Sequence, residues 1–321
     1  MISPAGARAA PHVAHLGGAT TASSSETIHP PVTWGIVSGD VRRPDSRLPQ
    51  SPRMSPDYSW TLSPGVLLAL AIGAVVYGRR WRRTRAEGGP VAAPAWRAVA
   101  FAGGLALVFV ALISPVDALG EQLFVVHMVQ HILILDLAAI LLIVGLTRVL
   151  LRPVTRRLVA LERTAGPFGH PVFAVVLYAG GMILWHLPAA YDAALENPVL
   201  HALEHLTFAA GGLLYWWHLL SPIRSRHRLG GLGPVAYMVT TKLAVGLLGI
   251  VLTFSPEALY DFYARQPRHW GLSPLTDQSL GGALMALEQS LVMGTALVVL
   301  FIRQLGEAER EQQRAERYGP A

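Results

Sequence analysis

Residues 123–146 read LFVVHMVQHILILDLAAILLIVGL. The run is long enough to cross the roughly 30 Å hydrocarbon core of a bilayer, which takes about 20 apolar residues in a helix. It is apolar almost throughout, so it does not read as the one-sided surface helix of a water-soluble domain. Its exceptions are His127, Gln130 and His131 near one end and Asp136 near the middle. Ionisable groups at such depth are costly and face a partner or a polar cavity rather than lipid.

The rest of the chain repeats the pattern. Apolar stretches occur at 61–78, 96–114, 171–187, 201–220, 234–254 and 280–302, the fourth of the full series interrupted by Gly180 and Gly181. The sequence therefore predicts an all-α, polytopic membrane protein of seven transmembrane helices. Composition agrees: 52% of residues are hydrophobic and 14% charged, against about 25% charged in a soluble domain, and mean hydropathy is +0.41.

The charge is placed asymmetrically. Arg79, Arg80, Arg82, Arg83 and Arg85 follow the first stretch, Arg148, Arg152, Arg156, Arg157 and Arg163 the third, Arg224, Arg226 and Arg228 the fifth, and Arg303 the seventh. The intervening loops 115–122, 188–200 and 255–279 hold acids, prolines and aromatics, with only Arg265 and Arg268. This alternation puts the N-terminus outside and the C-terminus in the cytoplasm. It also accounts for the pI near 10.0 without nucleic acid, because the basic residues sit in inter-span clusters and not on one binding face. The partner this composition implies is the lipid bilayer.

Three segments are expected. Residues 1–57, rich in Pro, Ser, Gly and Ala, lack a periodic apolar pattern and read as a disordered extension; Met54 is a candidate for the true start. Residues 58–303 form the membrane domain, and 304–321 a charged cytoplasmic tail read as a solvated helix.

The chain has no cysteine, which excludes disulfides, thiolate metal sites and CxxC redox chemistry. A metal would need His, Met, Asp or Glu. His127 and His131 lie one helical turn apart, as do His201 and His205, and His186 ends the fourth stretch in Trp185-His186-Leu187-Pro188. The topology places all five at the outer ends of three successive helices. An i, i+4 pair projects both rings from one face, and two facing pairs would offer four nitrogens at one depth, which suits copper or zinc. Met128 points about 100° away from His127 on a helical wheel and reads as packing.

Other polar groups are assigned supporting roles. Asp136 and Lys242, the lone lysine, both fall near mid-membrane and are predicted to pair. Glu288 is placed near the depth of His131 as a carboxylate ligand or its hydrogen-bonding partner. His201-Ala-Leu-Glu204-His205 fits the HxxEH pattern of inverted zinc peptidases, but Glu204 is read as orienting a neighbouring histidine. Asp277 is expected to cap the seventh helix, whose start at Gly281-Gly282 looks closely packed. Trp185, Trp216, Trp217 and Trp270 fit interfacial belts.

The blocks His127-Met128-Val129-Gln130-His131, Trp185-His186-Leu187-Pro188 with Tyr191-Asp192, His201-Ala-Leu-Glu204-His205, and Asp277-Gln278 with Gly281-Gly282 resemble, in order, the signature blocks of the caa3-type CtaG family. The resemblance covers about 58–303. It implies a seven-helix cytochrome c oxidase assembly factor of the bacterial plasma membrane, not an enzyme, with haem–copper oxidase subunits as partners. It also implies copper binding or delivery at the outer face, with His127, His131, His186, His201 and His205 falling on the family's histidines. A b-type haem oxidoreductase and a copper transporter are the alternatives.

Overall fold

The computed structural model describes residues 55–223, 227 and 229–319. Most of the 1–57 extension, including His12, His15 and His29, lies outside the described residues. Among the described residues the protein is all-helical, with no strand. The helices that build the bundle are α1 (Pro64–Ala92), α2 (Ala95–Ile113), α3 (Phe124–Val144), α4 (Pro171–Trp185), α5 (Pro188–Glu196), α6 (Pro198–Leu220), α7 (Gly233–Phe254) and α8. The last starts as Pro274–Glu288, passes through a π turn at Gln289–Met293 and continues as Gly294–Tyr318.

Four helices are long and apolar enough to cross a membrane: α2, α3, α7 and α8. A fifth crossing results if Thr155–Gly169 and Pro171–Trp185, bent by 66° at their junction, count as one broken span. The first and fifth predicted stretches form long helices, α1 and α6, whose polar residues leave them short of that measure. Arg79–Arg85 supply the polarity in α1, and His201, Glu204 and His205 in α6. At Gly89 the backbone of α1 turns to φ 68 ahead of Pro90, a kink that glycine permits and proline enforces.

Prolines open α1, α4, α5, α6 and α8 at their first turns, where the missing N–H would have no helical partner anyway. Close glycine contacts then set the helix spacing. A Cβ on Gly282 would lie 2.6 Å from Thr253 N, and one on Gly249 would lie 2.9 Å from Gly282 O. Only hydrogen lets α7 and α8 approach this way, as small residues do in membrane bundles. The Gly281-Gly282 start is thus closely packed, as the sequence suggested.

At one end of the bundle, arginines serve helix C-termini. Arg97 donates to the carbonyls of Val144 (2.8 Å) and Leu146 (2.6 Å), at the end of α3. Arg80 donates to Leu150 and Val149. A guanidinium here supplies donors to carbonyls left without helical partners and opposes the negative end of the helix dipole. The charged tail expected at 304–321 is the solvated end of α8 through Tyr318.

Candidate metal centre

The first turns of α3 and α6 meet at the opposite end. Asn197 caps α6 by accepting from Val199 N and Leu200 N, so His201, Glu204 and His205 fall on its next turn. The cap of α3 comes from another helix. Asp277, in the first turn of α8, accepts from Phe124 N (2.7 Å) and Val125 N (3.0 Å). Asp277 was expected to cap its own helix, but Ser273 does that. Sequence offered no sign of this, since the two partners lie 153 residues apart.

With both helices anchored, four imidazoles converge. Ring centroids are 4.2 Å apart for His127–His131, 4.3 Å for His201–His205, 5.4 Å for His127–His201 and 5.8 Å for His131–His205. Glu204 stands among them, with Oε1 3.5 Å from His131 Nε2 and 4.0 Å from His127 Nε2. It therefore serves histidines across the helix pair, not only its sequence neighbours. Ligand atoms of His127, His201 and His205 lie within 4.8 Å of one another, as do those of His127, His131 and Glu204.

The decisive feature is what these groups lack. Both ring nitrogens of His127 and of His131, Nε2 of His201 and of His205, and both oxygens of Glu204 are buried without a hydrogen bond of normal geometry. His127, His131 and Glu204 are no more than 1% exposed. An unsatisfied buried polar atom costs about 1–3 kcal/mol, and native proteins hold few of them. Eight in one cluster form a donor set, rich in imidazole with one carboxylate, of the type that transition metals bind.

His186 behaves differently from the other four. Its Nδ1 meets the Met182 carbonyl at 2.7 Å and its Nε2 the Met128 sulfur at 3.3 Å. It borders the cluster, 6.1 Å from His131 by ring centroids, with both nitrogens engaged. Met128 is buried, as its packing role required, but its sulfur also faces this ring.

An aromatic layer covers the cluster. Phe124 stacks on Tyr260 at 5.0 Å, Tyr191 lies 4.2 Å from Tyr260, and Tyr191 faces His127 at 5.4 Å. Tyr260 donates to the His186 carbonyl and Tyr263 to that of Gly120. Burial pushes the pKa of both hydroxyls up, so they keep their protons and remain donors. Phe124, Phe208, Tyr260 and Tyr263 were not recognised from sequence, where isolated aromatics carry no spacing signal.

Asp136 and Lys242 do not pair. Asp136 accepts from Tyr178 Oη (2.7 Å) and Trp216 Nε1 (2.7 Å), and its carboxyl interacts with that of Glu288. Lys242 is half-buried on α7 and makes no ion pair among the described residues. Glu288 accordingly belongs to the Asp136 group and not to the histidines. Trp216, expected at a membrane interface, is fully buried.

A family model described as cytochrome c oxidase caa3 assembly factor matches residues 75–306, and the chain belongs to this family. Curated relatives include uncharacterized proteins of Mycobacterium bovis and Mycobacterium tuberculosis, each 25% identical over 275 residues covering 79% of this chain. One from Mycobacterium leprae is 24% identical over 247 residues, covering 70% of it. The matches cover 40%, 40% and 36% of these relatives' own lengths. No solved structure matches.

Proposed function

We propose that this member of the caa3 assembly factor family takes up a copper ion at the histidine end of the bundle and passes it to a subunit of a haem–copper oxidase. The observation that carries the reading is the set of eight buried nitrogen and oxygen atoms, on four histidines and Glu204, that lack a hydrogen bond of normal geometry. His127, His131, His201, His205 and Glu204 would hold the ion. His186 and Met128, paired at the edge, would receive or release it by ligand exchange. Copper is the cargo, and no covalent chemistry is assigned to the chain.

The reading takes the bundle to cross the bacterial plasma membrane seven times, with α1 and α6 as spans beside the apolar helices. The arginine end would be cytoplasmic and the histidine end outside, where copper would be handed on. Because the chain has no cysteine, single introduced cysteines at Gln122 and Thr155 test this with an impermeant thiol reagent. Labelling of the first alone in intact cells is expected, and labelling of the second alone would reverse the orientation.

The packing disfavours haem. Two axial imidazoles must stand on opposite faces of a flat macrocycle, whereas His127 is packed against His131, His201 and Tyr191 with no slot between them. Metal analysis of purified protein tests the proposal. Wild-type chain is expected to retain copper through gel filtration and His127→Ala/His131→Ala to lose it. Equal copper in both rejects this pair as ligands.

A further inference from the structure

Further along α3 lies a second polar cluster that the histidine site does not use. Asp136 is five residues beyond His131, about 7–8 Å along a helix. It sits in a π turn, Leu133–Ala138. Tyr178 sits in another, Val176–Gly180 of α4, and Gln289 opens the third, Gln289–Met293 of α8, directly after Glu288. A π turn carries one residue more than an α turn and re-aims the side chains around it, and such turns recur at functional sites. Here three of them point their polar residues at one another.

The surrounding contacts are close. A Cβ on Gly212 of α6 would fall inside the Leu135 carbonyl oxygen, so glycine is what lets α6 reach the π turn of α3. That approach delivers Trp216 Nε1 to Asp136 Oδ1 at 2.7 Å. Tyr178 Oη donates to Asp136, while Gln289 Nε2 donates to Glu288 Oε2 at 2.7 Å and approaches Tyr178 Oη at 3.4 Å. Two acceptors remain without a donor, Glu288 Oε1 and Gln289 Oε1, on residues 7% and 2% exposed.

Among the described residues no ion pair joins a cation to this group. From α4 comes Tyr178, from α6 Tyr215 and Trp216, and from α7 Tyr237, which donates to the Tyr215 carbonyl. Lys242 of α7 is half-buried and makes no ion pair among the described residues. Arg97 of α2 is taken up at the arginine end. Two interacting carboxylates with only neutral donors around them repel in a low dielectric, and such pairs keep a proton. A proton on Glu288 Oε1 would also turn the orphaned acceptor into the missing donor.

We infer that Asp136 and Glu288 form a proton-binding site at the middle of the bundle, with one proton carried on Glu288 Oε1 and donated to Asp136. The site is distinct from the histidine cluster and does not depend on copper. Its proton is held within the non-aqueous core, on a helix shared with His127 and His131.

Infrared spectroscopy of metal-free, full-length protein in nanodiscs at pH 7 reads this proton directly. The carbonyl stretch of a protonated carboxylic acid, identified by its downshift in D2O, is expected in the Glu204→Gln chain, where the other buried glutamate has been removed. Adding Glu288→Gln is expected to abolish that band with helix content unchanged, since the amide still offers a donor to Asp136. Persistence of the band in the double variant, or its absence before Glu288 is changed, overturns the inference. If Glu288→Gln does not insert, carboxyl-13C glutamate in the Glu204→Gln chain replaces it. An isotope-shifted band supports the site, and an unshifted one removes it. Because no metal is present, the outcome is independent of the copper proposal.

Discussion

The two ends of the bundle differ in how their buried polarity is arranged. At the arginine end the helix-terminal carbonyls find donors: Arg97 fills those of Val144 and Leu146, Arg80 those of Leu150 and Val149, and Tyr77 that of Gly145, and the unsatisfied atoms there, Trp81 Nε1, Thr84 Oγ1 and the ring nitrogens of His218, belong to separate side chains. At the histidine end the backbone is equally well served, with Asp277 capping α3 and Asn197 capping α6, yet eight nitrogen and oxygen atoms of His127, His131, His201, His205 and Glu204, gathered in one cluster, lack a hydrogen bond of normal geometry. The contrast separates polarity that holds a fold together from polarity held ready for something else. Stability and ligand capacity should therefore respond separately to changes at the two ends.

The sharpest break in that contrast is His127→Leu/His131→Leu. Copper retained after gel filtration is expected to fall to background, while the melting temperature of the metal-free protein, read by light scattering, stays level or rises as unsatisfied nitrogens are replaced by apolar atoms. A large drop in melting temperature would make the cluster a structural element. Next comes Arg97→Met, which removes two charge-assisted bonds to carbonyls. It should cost about 2 kcal/mol of stability with copper stoichiometry unchanged, and copper loss at wild-type stability would invert the assignment of the two ends.

Smaller effects test the caps. Asp277→Ala removes the acceptor for two N–H groups of α3 and should cost about 1–2 kcal/mol. Copper affinity should weaken with it, since His127 sits one turn from the freed end. A titration with unchanged affinity would show that the first turn of α3 holds without its cap. The pH dependence is expected to lie at the histidine end. A metal-bound imidazole must be neutral, so retained copper should decline as the pH is lowered and protons compete for the ring nitrogens. Least of all, the exposed Arg83–Glu87 pair should tolerate Arg83→Ala with no measurable change in melting temperature or copper content.

The sequence made the histidines legible because i, i+4 spacing on an apolar helix predicts a shared face, and the arginine clusters marked the opposite end. What it concealed were pairings set by tertiary approach. Asp136 and Lys242 fit charge logic and depth, but the π turns of α3, α4 and α8 and the close contact at Gly212 gave Asp136 to Tyr178, Trp216 and Glu288. Trp216 looked like an interfacial residue because hydropathy reports depth and not direction. Glu204 was read as orienting a neighbouring histidine, and only the α3–α6 contact shows it facing His127 and His131.

The last helix has one more consequence. From Pro274 to Arg317 it runs 44 residues, about 66 Å of rod against a hydrocarbon layer of roughly 30 Å. One end grips the first turn of α3 through Asp277, and the other stands clear of the bundle as a charged handle. A single helical run thus joins that handle to the neighbourhood of His127. The π turn in its path, Gln289–Met293, lies immediately after Glu288, beside the carboxyl pair.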